Sequence, residues 1–163
     1  MNKQQFSEKV LELEAVLFHV SYGILHNSQD CEDVVQEAVL KAYANKEKLK
    51  NPDFFKTWLV RILMNECYSF LRKRAREIPL NEEISENTEF VEDFIKEEYL
   101  DLYECMKQLE EKDRICVQLF YMEGYSVKEI ARVFHVPEGT VKSRLSRARA
   151  GLRESLGESW KEI

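Results

Sequence analysis

Between Gly139 and Arg153 the chain carries five basic residues, Lys142, Arg144, Arg147, Arg149 and Arg153, and no acid. On a helix, advancing about 100° per residue, Val141, Leu145, Ala148 and Leu152 fall in one narrow arc. Ser143, Ser146, Arg147 and Ala150 take the opposite arc. Lys142, Arg149 and Arg153 flank it on one side and Arg144 on the other. Small outward residues let a helix backbone approach base edges in a major groove, while Arg and Lys reach guanines and phosphates. The chemistry is that of duplex DNA binding. A basic face that is simply solvated is the plainer alternative.

A second set lies at 58–72. Trp58, Arg61, Asn65, Tyr68, Ser69 and Arg72 share one side of a predicted helix over 53–74, with Ile62 at its edge. Leu59, Leu63, Cys67, Phe70 and Leu71 share the other side and are expected to be buried. Lys73, Arg74 and Arg76 extend the positive region. Aromatic rings stack on unpaired bases, an amide reads a base edge and Arg holds phosphate, so this stripe suits single-stranded DNA. Trp58 and Tyr68 could instead pack against neighbouring helices.

The elements that position these sets are helices. Five Gly and three Pro in 163 residues are too little turn punctuation for many short strands. Phe6, Val10, Leu13, Leu17, Val20 and Ile24 predict one helix over 5–25. Ser28 or Asp30 can cap a second helix reaching about residue 45. Pro52 disfavours helical geometry at Asn51, so a loop precedes the third helix. Helical spacing resumes near Val91 and runs to Gln108, and a further helix covers about 110–123, ending at Gly124.

Ser126-Val127-Lys128-Glu129 has the form of a capping box and starts a helix expected to bury Val127, Ile130, Ala131 and Phe134. A short turn, His135-Val136, leads to Pro137 at the start of the last helix, which runs to about Leu156. Two helices joined so tightly form a helix-turn-helix. That context weakens the solvated-face alternative.

Charge is segregated. Residues 1–60 carry net −2, 61–76 net +4, 77–113 net −11 and 114–163 net +3, within a total of −6. Phosphate binding depends on where positive charge lies, not on the total. The expected fold is all-α: two small helical domains, 1–76 and 100–163, joined by an acidic linker at 77–99, with the helix-turn-helix in the second. Four scattered cysteines without a CxxC pair, and three scattered His, read as reduced structural thiols in a cytoplasmic protein that takes no metal or cofactor. No apolar run in the amino-terminal residues approaches a signal or membrane-spanning segment, and no membrane insertion is expected.

The helix at 33–44 is apolar nearly all round. Val34, Val35, Ala38 and Ala42 can face a core while Val39, Leu40 and Tyr43 point elsewhere, among Asp33, Gln36 and Glu37. Such a helix is either central or docks a partner, and periodicity leaves both open.

Asp33-Val34-Val35-Gln36-Glu37, the run Phe55–Ile62 with Asn65, and Arg72-Lys73-Arg74 resemble region 2 of the extracytoplasmic-function sigma factors. Gly124–Ala131 followed by Pro137–Arg144 resembles their region 4. The likeness covers about residues 5–76 and 100–156. It implies an alternative sigma factor that binds core RNA polymerase, recognises −10 and −35 promoter elements and stabilises the melted strand.

By this resemblance, Asp33, Gln36, Glu37, Leu40 and Tyr43 would dock on the clamp coiled coil of the polymerase β′ subunit. The loop at 46–54, including Lys50 and Asn51, would act with Asn65 to capture a flipped base, and Trp58, Arg61, Tyr68, Arg72 and Lys73 would hold the −10 strand. Thr140, Lys142, Ser143, Arg144, Ser146, Arg147 and Arg149 would meet the −35 element, with the same domain touching the β flap. The acidic linker would thread toward the RNA exit channel, and an anti-sigma factor would restrain the free protein. A free-standing helix-turn-helix regulator would need a dimer interface and would leave the 53–74 stripe without a role. An enzyme finds no Ser–His, Cys–His, metal-binding or Gly-rich phosphate constellation to support it.

Overall fold

A computed structural model describes residues 1–77 and 100–157. The chain divides into two compact units, residues 1–90 and 91–163. Every regular element among the described residues is helical. Of the expected linker at 77–99, only Glu77 is described, as the end of a helix, and the expected helical start near Val91 also lies outside the described residues.

The first unit holds α1 (Lys3–Glu12), α2 (Glu14–Leu25), α3 (Ser28–Ala44) and α4 (Phe55–Glu77). The central helix is α2, with nine of its twelve residues buried and packed against both α3 and α4. Full burial of a Leu or Val side chain such as Leu17, Val20, Leu59 or Leu63 contributes roughly 1.5–3 kcal/mol, which makes this three-helix contact the main source of the unit's stability.

The single helix expected over 5–25 is in fact two, broken at Leu13, whose N–H bonds to the Val10 carbonyl at 3.0 Å. Apolar spacing runs on through the break, but burial does not. Phe6 is the one buried residue of α1, against nine in α2. Asn2 and Gln5 close a capping box at its start. His26 ends α2 in the left-handed region at φ 54°. The cap of α3 is Asn27, not Ser28 or Asp30, and its side chain accepts the Asp30 N–H at 3.0 Å. Between α3 and α4 run two 3-10 turns, Lys46–Lys48 and Pro52–Phe54, with Asn51 extended ahead of Pro52 as the proline demands.

The second unit holds α5 (Leu100–Met106), α6 (Glu111–Val117), α7 (Val127–Phe134) and α8 (Glu138–Leu156). The helix expected over 110–123 leaves α geometry after Val117 and continues as a π turn over Gln118–Met122. The Glu123 N–H reaches back five residues to the Gln118 carbonyl, at 3.2 Å. Gly124 then reverses the chain at φ 69°, a conformation that glycine adopts without a Cβ penalty. The Ser126–Glu129 capping box forms with both of its hydrogen bonds, at 3.1 and 2.8 Å.

In α7 the buried residues are Ile130, Ala131 and Val133, whereas Val127 and Phe134 are half-buried. The Phe134 ring serves instead as a platform under the Arg144 guanidinium, 4.9 Å away. Pro137 caps α8 from just outside the helix. The four expected core residues of α8, Val141, Leu145, Ala148 and Leu152, are all buried. Gly151 permits close packing there, since a Cβ would sit 2.9 Å from Leu109 Cδ2.

Candidate nucleic-acid interface

Burial of Cys31, Val34, Ala38 and Ala42 turns the opposite face of α3 outward. Asp33, Gln36, Glu37, Leu40 and Tyr43 all lie exposed on it, Leu40 at 65% and Tyr43 at 39%. Of the second apolar set on α3, Leu40 and Tyr43 face solvent and Val39 is half-buried. Two ion pairs, Lys41–Glu66 and Arg74–Asp30, tie α3 to α4 at separate points. Tyr43 is held from two sides, by the edge of Phe6 at 5.2 Å between centroids and by Lys46 Nζ 4.1 Å over its ring.

On α4, Leu59, Leu63 and Cys67 are fully buried, joined by Phe55, Thr57, Val60 and Met64, while Phe70 and Leu71 are only half-buried. Positions 58, 61, 65, 68 and 72 follow one another at spacings of three and four, which keeps them on one side of the helix. Asn65, Arg72 and Lys73 are exposed; Trp58, Arg61 and Tyr68 are half-buried. The Trp58 ring lies 6.1 Å from that of Phe55. Phe55 belongs to the same helix, so this contact lies along α4, and the half-buried Trp58 and Tyr68 keep part of their surface exposed. Lys50 and Asn51 are exposed, and the Asn51 side-chain oxygen accepts the Asp53 N–H at 2.9 Å, which orders the turn.

On α8, Lys142, Ser143, Ser146 and Arg147 are exposed and Thr140, Arg144 and Arg149 half-buried. The Ser143 hydroxyl donates to the Gly139 carbonyl at 3.0 Å. The arginines differ in how they are held. Arg144 lies over Phe134, with its Nη1 buried, and neighbours the buried thiol of Cys116, which desolvation pushes up to about 11 against the lowering effect of that guanidinium. Arg149 donates from Nε to the Tyr121 hydroxyl at 2.7 Å. Arg147 makes two hydrogen bonds to the buried Asp113 carboxylate, which raise its already high pKa.

Sequence reasoning did not single out Asp113, Tyr121, Lys128 or Arg132. Lys128 and Arg132, one helical turn apart on α7, line an open groove with His135 and Glu138, and their spacing was a usable signal. Tyr121 is 41% exposed on the π turn, and Asp113 stands 34 residues from its partner, so no local pattern marks either.

Known families match both units. The family model for sigma-70 region 2 matches residues 10–77 and that for sigma-70 region 4 matches residues 99–152. The chain is 30% identical to the RNA polymerase sigma-H factor of Pseudomonas aeruginosa, over 95% of this chain and 88% of that one. It is also 30% identical to the ECF RNA polymerase sigma factor SigW of Bacillus subtilis, over 86% and 82% of the two chains. Among solved structures it resembles the sigma factor RpoE of Bartonella quintana, crystallised with the anti-sigma factor NepR, with a TM-score of 0.75 and 27% identity over 95% of this chain and 98% of that one. With the family models and the relatives in agreement, the chain belongs to the extracytoplasmic-function sigma factors, which direct promoter-specific transcription initiation.

Proposed function

We propose that this sigma factor divides its work between its two units. The domain at 1–76 binds core RNA polymerase and the −10 element, and the one at 100–163 reads the −35 element, with the acidic segment 77–99 between them. On α3, the face of Asp33, Gln36, Glu37, Leu40 and Tyr43 docks on the β′ clamp. Support comes from the 65% exposure of Leu40 beside carboxylates, an apolar contact with a charged rim suited to a protein partner.

Trp58, Arg61, Asn65, Tyr68, Arg72 and Lys73, with Lys50 and Asn51 of the preceding loop, hold the opened −10 strand by stacking, amide contact and phosphate pairing. Thr140, Lys142, Ser143, Arg144, Ser146, Arg147 and Arg149 form the −35 surface, and the same unit touches the β flap. This chain performs no chemical step. It acts in the bacterial cytoplasm, with an anti-sigma factor as its restraint. No helix among the described residues is long and apolar enough to cross a membrane.

The observation that carries this reading is the outward face of α8: small Ser143, Ser146 and Ala150 exposed beside Lys142 and Arg147, behind a capped helix-turn-helix. Transcription in vitro with core polymerase on a genomic library, followed by mapping of start sites, tests it. The expected result is a set of starts sharing two upstream elements, with band shifts that need core polymerase. Tight duplex binding by the chain alone, with no directed initiation, would replace it with a free-standing regulator.

A further inference from the structure

The Arg147 side chain is held in a defined way. Its Nε donates to Asp113 Oδ2 at 3.2 Å and its Nη2 donates to Oδ1 at 3.1 Å. One edge of the guanidinium is thereby matched to the carboxylate. The Asp113 side chain is 8% exposed and that of Arg147 60%, so the acid is anchored within the unit and the base projects from it. A guanidinium carries five N–H bonds in one plane. With the Nε–Nη2 edge taken, the Nη1–Nη2 edge keeps two parallel N–H bonds, the geometry that pairs with O6 and N7 of guanine.

We propose that Asp113 is a positioning residue that sets specificity, locking the Arg147 fork so that its remaining edge reads a guanine in the −35 duplex. This rests on the reading of α8 as the −35 surface. Two physical points carry it. An arginine free to rotate serves phosphate and base alike, whereas one fixed by a planar pair has its ordering cost met before binding and suits one base edge. A carboxylate placed beside a DNA-facing helix also subtracts from phosphate attraction, which makes Asp113 unfavourable for general affinity. Its position is intelligible where discrimination matters more than attraction. The other two arginines of this surface are held differently, Arg144 over Phe134 and Arg149 by a tyrosine hydroxyl, neither of them by a carboxylate matched to two N–H bonds.

The test uses holoenzyme assembled from core polymerase and the full chain, on a promoter found by start-site mapping, with each −35 base pair exchanged in turn. Wild type loses about tenfold or more in initiation at one G·C pair through this contact. Asp113→Asn, whose size is unchanged, flattens discrimination at that pair alone, with the other positions kept within about twofold of their wild-type pattern. Arg147→Ala flattens the same pair, and the double variant is no worse than the single ones. Arg147→Lys keeps the charge but lacks the fork and also loses the preference, and Asp113→Ser, a second way to remove the carboxylate, flattens the same pair and covers the case in which Asp113→Asn folds poorly. If Arg147→Ala relaxes that pair while a folded Asp113→Asn retains it, the proposal is overturned. Equal weakening at every −35 position by Asp113→Asn overturns it too, by making the pair a clamp between α6 and α8. If Arg147→Ala leaves every −35 position unchanged, the underlying assignment of α8 falls first.

Discussion

Phe6 meets Tyr43 edge-on, with ring centroids 5.2 Å apart and planes at 71°, and so joins the leading helix to the outward face of α3. The same ring meets Phe55 at 5.5 Å, at the start of α4. Phe6 is 4% exposed, the single buried residue of α1, and both the proposed polymerase face and the root of the α4 stripe lean on it.

Phe6→Ala is therefore expected to destabilise the protein by about 3–5 kcal/mol, the usual cost of removing a buried phenylalanine. Phe6→Leu should cost distinctly less. Urea denaturation of the full chain gives both values. Core-polymerase affinity of the leucine variant should fall as Tyr43 loses its edge contact.

Leu40 offers the opposite case. At 65% exposure it contributes little to folding, and Leu40→Asp should shift stability by no more than about 0.5 kcal/mol. Binding to core polymerase should drop tenfold or more, about 1.4 kcal/mol, as expected for an interface anchor. Changes at Asp33 or Gln36 should act in the same direction. Affinity measured by fluorescence titration, beside a thermal melt, separates the two effects; unchanged affinity would reassign the face.

For the α4 stripe, Trp58→Ala should reduce open-complex formation while leaving core binding near wild type. Stacking on one base contributes about 1–3 kcal/mol, so the loss should be about fivefold or more. Permanganate reactivity of unpaired thymines over the −10 region reports the opened strand directly.

Cys31 and Cys116 have their thiols pushed by burial from the ordinary value of 9.0 up to about 11. Both titrate at higher pH in the folded chain than in the unfolded one, so their contribution is complete below about pH 9 and is lost as pH rises through about 11. Urea midpoints should fall across that window, and a Cys31→Ala, Cys116→Ala double variant should show a shallower fall. An equally steep fall in the double variant would assign the effect to other groups.

Much of the fold is written locally. Ser126 and Glu129 close their capping box, Gly124 adopts positive φ, and Val141, Leu145, Ala148 and Leu152 face the core, because each depends on neighbours within a turn or two of helix. The outward set on α8 follows from the same periodicity, as does the α4 stripe. Bends and caps that compete locally were less legible: unbroken spacing concealed the break at Leu13, and the competing cap formers Ser28 and Asp30 hid that Asn27 is the cap.

Tertiary structure alone decided what depends on distant neighbours. The central position went to α2, which left Leu40 and Tyr43 of α3 facing outward. Arg144 was turned over Phe134, and Arg147 was matched to Asp113 across 34 residues of chain. A sequence determines which side chains share a helix face because 3.6 residues per turn is a local property. Which face meets a core, and which acid meets which arginine, is settled only when separate helices pack.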